Sequence, residues 1–341
     1  MHSGTPLNSN HLSTSIAASP YLRGASDCWE SVASKNRISA TTNSDITPLQ
    51  TNSKSPLGLS LFTEPSLAAE LADSPFSARH LIDGLLTELA LRAKTAGKRG
   101  APWLRWQIPH ALLDSADVME LMYFIGKQFQ LGDSSTCHYS VCFSAHELDT
   151  KRAALFKGLG FTCLELQLLN NEQTSSNTTC ESEILDQLSK AGGICQDYHY
   201  PNFALHIDQY CPCLTSALSD LQKTQSRLPD IVNITSCEFP SPKAFQQTFD
   251  ELKNLGYRVL GNDCFVRPGT SLANAQINHH LKLSAQGYNC QNVTDIIGLG
   301  PGNHSTLSHA HYQNPSSLPS YLANPQGERF MTATPDARAK L

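Results

Sequence analysis

The stretch His138-Tyr139-Ser140-Val141-Cys142-Phe143, followed by residues 147–157 and then by Cys163-Leu164-Glu165-Leu166-Gln167-Leu168, sets the reading of the fold. The first and last segments are short, apolar and rich in strand formers. The middle one has helical spacing and ends at Gly158 or Gly160. A strand, a helix and a second strand in this order predict one βα unit feeding the next.

The same alternation extends in both directions. Upstream, Leu57–Phe62 reads as a strand, residues 78–92 as a helix with Leu81, Ile82, Leu85, Leu86 and Leu89 on one face, residues 103–108 as a strand, and residues 115–129 as a helix. Downstream, residues 181–190 read as a helix stopped by Gly192-Gly193, residues 203–208 as a strand, and 216–226 as a helix. Residues 231–237 then read as a strand and 242–255 as a helix opened by Pro242 and closed by Gly256. Six βα units imply an α/β fold with a parallel sheet and right-handed crossovers. Periodicity leaves a doubly wound sheet and a partial barrel both open. Either binds ligands at the C-terminal strand ends.

The composition narrows the function. The chain has 341 residues, 40% hydrophobic and 16% charged, with a net charge of −5. It is long enough for a large core. Mild acidity without a Lys/Arg run argues against nucleic acid as a partner. No apolar run reaches the ~18–20 residues of a membrane span, and the N-terminus lacks a secretory pattern, so a cytoplasmic protein is expected. The 11 cysteines suggest reduced thiols or metal ligands rather than cystines, and none lies between Cys28 and Cys137. Residues 1–55, rich in Ser, Thr and Asn, are expected to form a disordered leader, 56–255 the βα units, 256–310 an extension, and 311–341 an irregular tail.

Residues 256–300 carry a specific pattern. It runs Gly256-Tyr257, Gly261, Asp263, Phe265, Pro268, Leu272, Ala275-Gln276, Leu281, Gln286-Gly287-Tyr288, Thr294-Asp295 and Gly298-Leu299-Gly300. This closely resembles the stretch after the barrel in oxygen-independent coproporphyrinogen III oxidases (coproporphyrinogen dehydrogenases) of the radical-SAM superfamily. A looser resemblance covers roughly residues 55–325, and the family's further C-terminal helical domain has no counterpart before Leu341. The resemblance implies a radical-SAM-type (βα)6 partial barrel, TIM-barrel-like, with a short C-terminal extension. It also implies a [4Fe–4S] cluster and S-adenosylmethionine, with a radical that takes hydrogen from the propionate side chains of coproporphyrinogen III.

The family's cluster thiolates lie in a Cys-x3-Cys-x2-Cys loop after the first strand, soft sulfur suiting iron. Here that loop reads Thr63-Glu64-Pro65-Ser66-Leu67-Ala68-Ala69-Glu70-Leu71, without a cysteine. After the second strand, the family's Trp-Gly-Gly-Gly-Thr-Pro is replaced by Trp106-Gln107-Ile108-Pro109-His110, whose side chains obstruct a backbone approach. The carboxylate of the third strand aligns with Cys142. The fourth-strand glutamine aligns with Leu169, and the fifth-strand aspartate with His206 or Asp208.

Other residues offer sites, each with a plainer reading beside it. Cys211-Pro212-Cys213, with Cys195, His199 and His206, is a candidate replacement metal or cluster site, against simple burial of cysteine. His304, His309 and His311, with His279-His280 upstream, are candidates for haem or metal, against a polar tail. Gly298-x-Gly300-x-Gly302 reads as packing rather than a phosphate cradle. Asp263 and Arg267 are candidates for substrate-side contacts, against a salt bridge or turn cap. Tyr257, Gln276, Gln286 and Tyr288 either hold the fold or still bind something porphyrin-like, structure being favoured.

The sequence therefore points to a coproporphyrinogen III oxidase-like protein of porphyrin or haem metabolism without its radical chemistry, that is, a pseudoenzyme. Its expected partners are a tetrapyrrole or a haem-pathway protein. The alternatives are an active dehydrogenase with its cluster moved to Cys142, Cys195, Cys211 or Cys213, and a haem- or metal-handling protein using His304, His309 and His311.

Overall fold

Strands with buried alternating side chains and helices with one apolar stripe can both be satisfied only by layering. The computed structural model describes residues 55–64, 66–72, 74–133, 136–168, 177–207, 211–234, 241–261, 264–284, 287–307, 310–325 and 328–330. In it, β1 (Leu57–Phe62), β2 (Trp103–Gln107), β3 (His138–Ser144), β4 (Cys163–Leu168), β5 (Asn202–Ile207) and β6 (Ile231–Ile234) alternate with six helices. These are α1 (Ala78–Ala96), α2 (Ser115–Gln128), α3 (Thr150–Gly158), α4 (Asn177–Asp197), α5 (Leu214–Lys223) and α6 (Pro242–Asn254). Their ends carry the expected signals: Asp149 Oδ1 accepts from the Arg152 amide at 2.9 Å to open α3, and Ser241 with Pro242 opens α6.

The six strands are parallel and lie side by side in chain order. An order without reversal puts every crossover on one face, so the sheet curls as a partial barrel instead of being doubly wound. Leu59, Leu61, Leu104, Trp106, Val141, Phe143, Leu164, Leu166, Phe203, Leu205 and Val232 share one core with Leu81, Leu85, Val118, Leu121, Leu188 and Leu218 of the helices. Their neighbours along each strand, among them Ser60, Arg105, Ser140, Cys142, Glu165, His206 and Asn233, therefore face the concave inner wall.

The extension completes a 12-stranded sheet. On one side β8 (Cys264–Val266) pairs antiparallel with β6, and β7 (Arg258–Val259) pairs antiparallel with β8 at the sheet edge; on the other β9 (Asp295–Leu299) pairs parallel with β1. Beyond β9 follow β10 (His304–Leu307), β11 (Ala310–Gln313) and β12 (Glu328–Phe330) as an antiparallel meander. Leu272 and Ala273, with Leu281 and Tyr288 packed beside them, fill the N-terminal half of the inner wall against Cys163, Ala204 and Ile231. Val293 and Ile296 cover Trp103 in the same way. Much of the 256–300 stretch is thus the barrel's floor.

Two expectations change. The helix expected to stop at Gly192-Gly193 runs on to Asp197. A Cβ at Gly192 would lie 2.8 Å from the Arg227 carbonyl oxygen, so this glycine serves close packing and not termination. The irregular tail expected from 311 instead carries β11, a helix at Leu318–Ala323 and β12. Pro319 opens that helix, and β11 gains its ladder from β10. The leader, save residue 55, and residues 331–341 lie outside the described residues. Among the described residues no helix is long and apolar enough to cross a membrane.

The Gly298–Gly302 segment is a packing point. Gly300 has φ +109, and a Cβ there would overlap the Phe62 carbonyl oxygen at the end of β1. A Cβ at Gly298 would overlap the His304 carbonyl. Asn303 Nδ2 donates to the Ser60 and Leu299 carbonyls at 2.7 and 3.1 Å, tying this turn to β1.

Candidate functional site

The inner wall of the barrel carries an ion-pair network. Arg105 on β2 points inward and donates from Nε to Glu165 Oε2 at 3.0 Å, with Nη2 at 2.8 Å from the same oxygen. His206 on β5 places Nε2 at 2.9 Å from that oxygen. Asn233 on β6 brings Nδ2 to 3.5 Å from His206 Nδ1. The side chains are largely buried, at 15% exposure for Arg105, 7% for Glu165 and 13% for His206. Toward the C-terminal mouth, Ser144, Gln167, His206 and Asn233 stand on one register level of neighbouring strands, each partly exposed. Cys142 Sγ donates to Gln167 Oε1 at 3.9 Å.

Burial works against the charge on Glu165, but Arg105 and then His206 outweigh it and hold the carboxyl well below the usual range. Burial likewise works against the Arg105 cation, and Glu165 more than compensates. A carboxylate this weakly basic, with three donors on one oxygen, is a poor general base near neutral pH. The arrangement is suited to electrostatic cohesion and hydrogen bonding rather than proton transfer.

The loop after β1 reaches the same mouth. Leu67 is buried and begins a short helix, Leu67–Ala72, while Ser66 Oγ donates to Glu70 Oε1 at 3.0 Å. On the next strand Trp106 turns away from the lumen, packed edge-on against Phe156 and Phe161. His110 is 2% exposed, stacked on Phe143 with ring centroids 4.2 Å apart.

The expected site residues fall in separate places. Cys195 on α4 is buried in the helix-side core, whereas His206 is on the inner wall, with the sheet between them. Cys213 is buried at the start of α5 and Cys211 is half-buried nearby. Among the described residues no group of three or more His, Cys, Asp or Glu is placed to hold a metal. His304 lies on β10, and His311 on β11 pairs across the ladder with Thr306. Asp208, Asp263, Gln286 and His309 lie outside the described residues. Arg267 is exposed, its amide donating to the Asp230 carbonyl at 2.9 Å. Gln276 Nε2 donates to the Val259 carbonyl at 3.0 Å, fastening the helix Ser271–Ile277 to β7. Tyr288 packs on the floor cluster.

Tyr257 is buried and donates from its hydroxyl to the Pro229 carbonyl at 2.7 Å; burial pushes the phenol up. Tyr257→Phe should therefore lower stability by about 1–2 kcal/mol, because a buried carbonyl loses its donor. A denaturant midpoint equal to that of the wild type would contradict this structural role.

Arg105, Glu165 and Asn233 belong to no sequence motif. A signal was available. Arg105 and Glu165 are single charges inside apolar strands, each at an inward-facing position.

The fold defines the class first: a partial barrel of six βα units. The solved coproporphyrinogen III oxidase of Escherichia coli, described as a radical SAM enzyme, matches with a TM-score of 0.64 over 82% of this chain and 72% of that one, at 19% identity. Among curated proteins, the oxygen-independent coproporphyrinogen III oxidase of Pseudomonas aeruginosa is 26% identical over 231 residues, which are 61% of this chain and 50% of that protein. Its Escherichia coli counterpart is 26% identical over 268 residues, 72% of this chain and 58% of that protein. The Thermostichus vulcanus protein of the same name is 37% identical over 79 residues, 23% of this chain and 24% of its own. The chain thus spans about half the length of the first of these relatives and 58% of the second. No family model matches. The resemblance read from residues 256–300 holds: curated proteins similar to this chain carry that name.

Proposed function

We propose that this chain is a coproporphyrinogen III oxidase-like protein of cytoplasmic porphyrin metabolism that does not carry out radical chemistry itself. The observation behind this reading is the thiol-free loop after β1. Residues 63–71 offer an iron cluster no soft ligand, and the sequence has no cysteine between Cys28 and Cys137. Cys142 and Cys163 face inward and Cys264 shares the floor cluster with Cys163, but among the described residues no three such side chains are placed to hold a metal. The donors present do not fit a [4Fe–4S] cluster with an open iron.

What remains is a row of inward-facing polar side chains at the C-terminal strand ends, where such folds take ligands. Ser144, Gln167 and Asn233 offer neutral hydrogen-bonding groups there, and a tetrapyrrole or a haem-pathway protein is the partner this reading assigns. The test is iron and acid-labile sulfide per chain after anaerobic reconstitution, with background values expected. A stoichiometric cluster would overturn the reading and direct attention to Cys142, Cys195, Cys211 and Cys213. Fluorescence titration with coproporphyrin III then separates the partners: saturation supports a tetrapyrrole, and its absence a protein.

A further inference from the structure

We propose that the outer face of α2 is the surface through which two copies of this chain pair, antiparallel across a twofold axis. Helix α2 buries Val118, Leu121, Met122 and Ile125 against the barrel. On its other side Ala116, Met119, Tyr123 and Gly126 are all exposed, Met119 to 50% and Tyr123 to 65%. At 3.6 residues per turn these four lie within about 80° of arc, a second apolar stripe with the spacing of a helix-pairing seam. A helix surface that meets only water normally carries charge along such a line. This one carries none. Beside its centre, Glu120 is already bound by Arg79 of α1 at 2.6 Å.

Two features make a second copy the occupant. The stripe reads the same in both directions: small, large, large, small. With the twofold axis at the level of Leu121, Met119 faces the partner's Tyr123 and Ala116 faces the partner's Gly126, the layering of an antiparallel helix pair. The charges at the two ends of α2 are complementary in the same sense. Asp114 caps the first turn and Asp117 lies within it, whereas Lys127 is in the last turn. Beyond Lys127 an open groove of about 420 Å³ runs between Lys98 and residues 126–131, with no acidic residue among its described lining. Antiparallel pairing sets each copy's acidic end beside the other's basic end, whereas parallel pairing would set like charge beside like. Gly126 lines that groove and has no side chain to block the approach. A single helix pair of this length is small for a specific interface, so association in the micromolar range is expected.

The test is sedimentation equilibrium of the full chain under reducing conditions, from about 1 to 200 µM, with thermal unfolding to verify folding. The wild-type mass is expected to rise with concentration from one chain toward two. M119E and Y123K, both at exposed positions, should keep the wild-type Tm within about 2 °C and weaken association by about tenfold or more. K127E, outside the stripe, should weaken it by about threefold. An equimolar mixture of M119E and Y123K should pair more tightly than either alone. Only the antiparallel register sets position 119 of one copy against position 123 of the other. The proposal is overturned by a wild-type mass of one chain at every concentration, which would leave this face to a different protein. It is also overturned by any of the three single variants associating as the wild type does, or by a mixture no tighter than its components.

Discussion

Glu88→Ala is expected to destabilise the chain by about 3–5 kcal/mol and to release residues 295–323 to proteolysis. Glu88 on α1 is completely buried, and its carboxylate joins the barrel to the extension. Oε2 accepts from the Gly300 amide at 2.9 Å and the Tyr321 hydroxyl at 2.8 Å. Oε1 accepts from Asn314 Nδ2 at 2.9 Å and lies 3.4 Å from Arg92 Nε. Burial pushes the Glu88 carboxyl up, against the pull of Arg92 and these donors. Alanine would remove the shared acceptor and leave Arg92 buried without this carboxylate. Glu88→Gln keeps an acceptor and should be milder. A Tm fall of about 10 °C is expected for alanine, checked together with limited proteolysis. Unchanged values in both assays would show that the extension docks without this group.

Stability should also fall by about 3 kcal/mol as the pH drops from about 6.5 toward 4, on account of His110. Burial between Phe143 and Phe156 pushes this imidazole down from 6.5 to about 4, outweighing the attraction of Glu147. Its Nε2 lies 3.2 Å from the Cys142 carbonyl, which suits the neutral ring with a proton on that nitrogen. The sign follows from linkage. Below its ordinary value the unfolded chain binds a proton that the folded ring refuses, so acid favours unfolding until the folded value is reached. At about 1.4 kcal/mol per pH unit the gap gives the stated magnitude. His138, at the start of β3, is pushed down too by loss of solvent and adds to the same slope. Glu165, held low by Arg105 despite its burial, acts only below the ordinary carboxylate range. Urea midpoints at pH 7 and 4.5 for wild type and His110→Phe isolate the contribution; equal slopes would refute it.

Several elements were legible directly. Leu57–Phe62 and Cys163–Leu168 are strands over those residues, and the order of six βα units matches the chain pattern. Hydrophobic periodicity and local start signals such as Asp149 and Pro242 act within a few residues, so they survive in a linear reading. Gly192 misled it, because its role depends on the Arg227 carbonyl, which is far away in the chain. The tail misled it as well, because β11 owes its strand form to β10 rather than to its own residues.

By itself the sequence determined the βα alternation, the thiol-free loop at 63–71 and the resemblance carried by residues 256–300. Only the tertiary structure decided between a doubly wound sheet and a curled one, since that choice lies in which strands become neighbours. It also decided that Arg105, Glu165 and His206 meet, although Arg105 and His206 stand 101 residues apart. Alternation shows which side of a strand a residue faces, but convergence on one oxygen depends on which strands become neighbours.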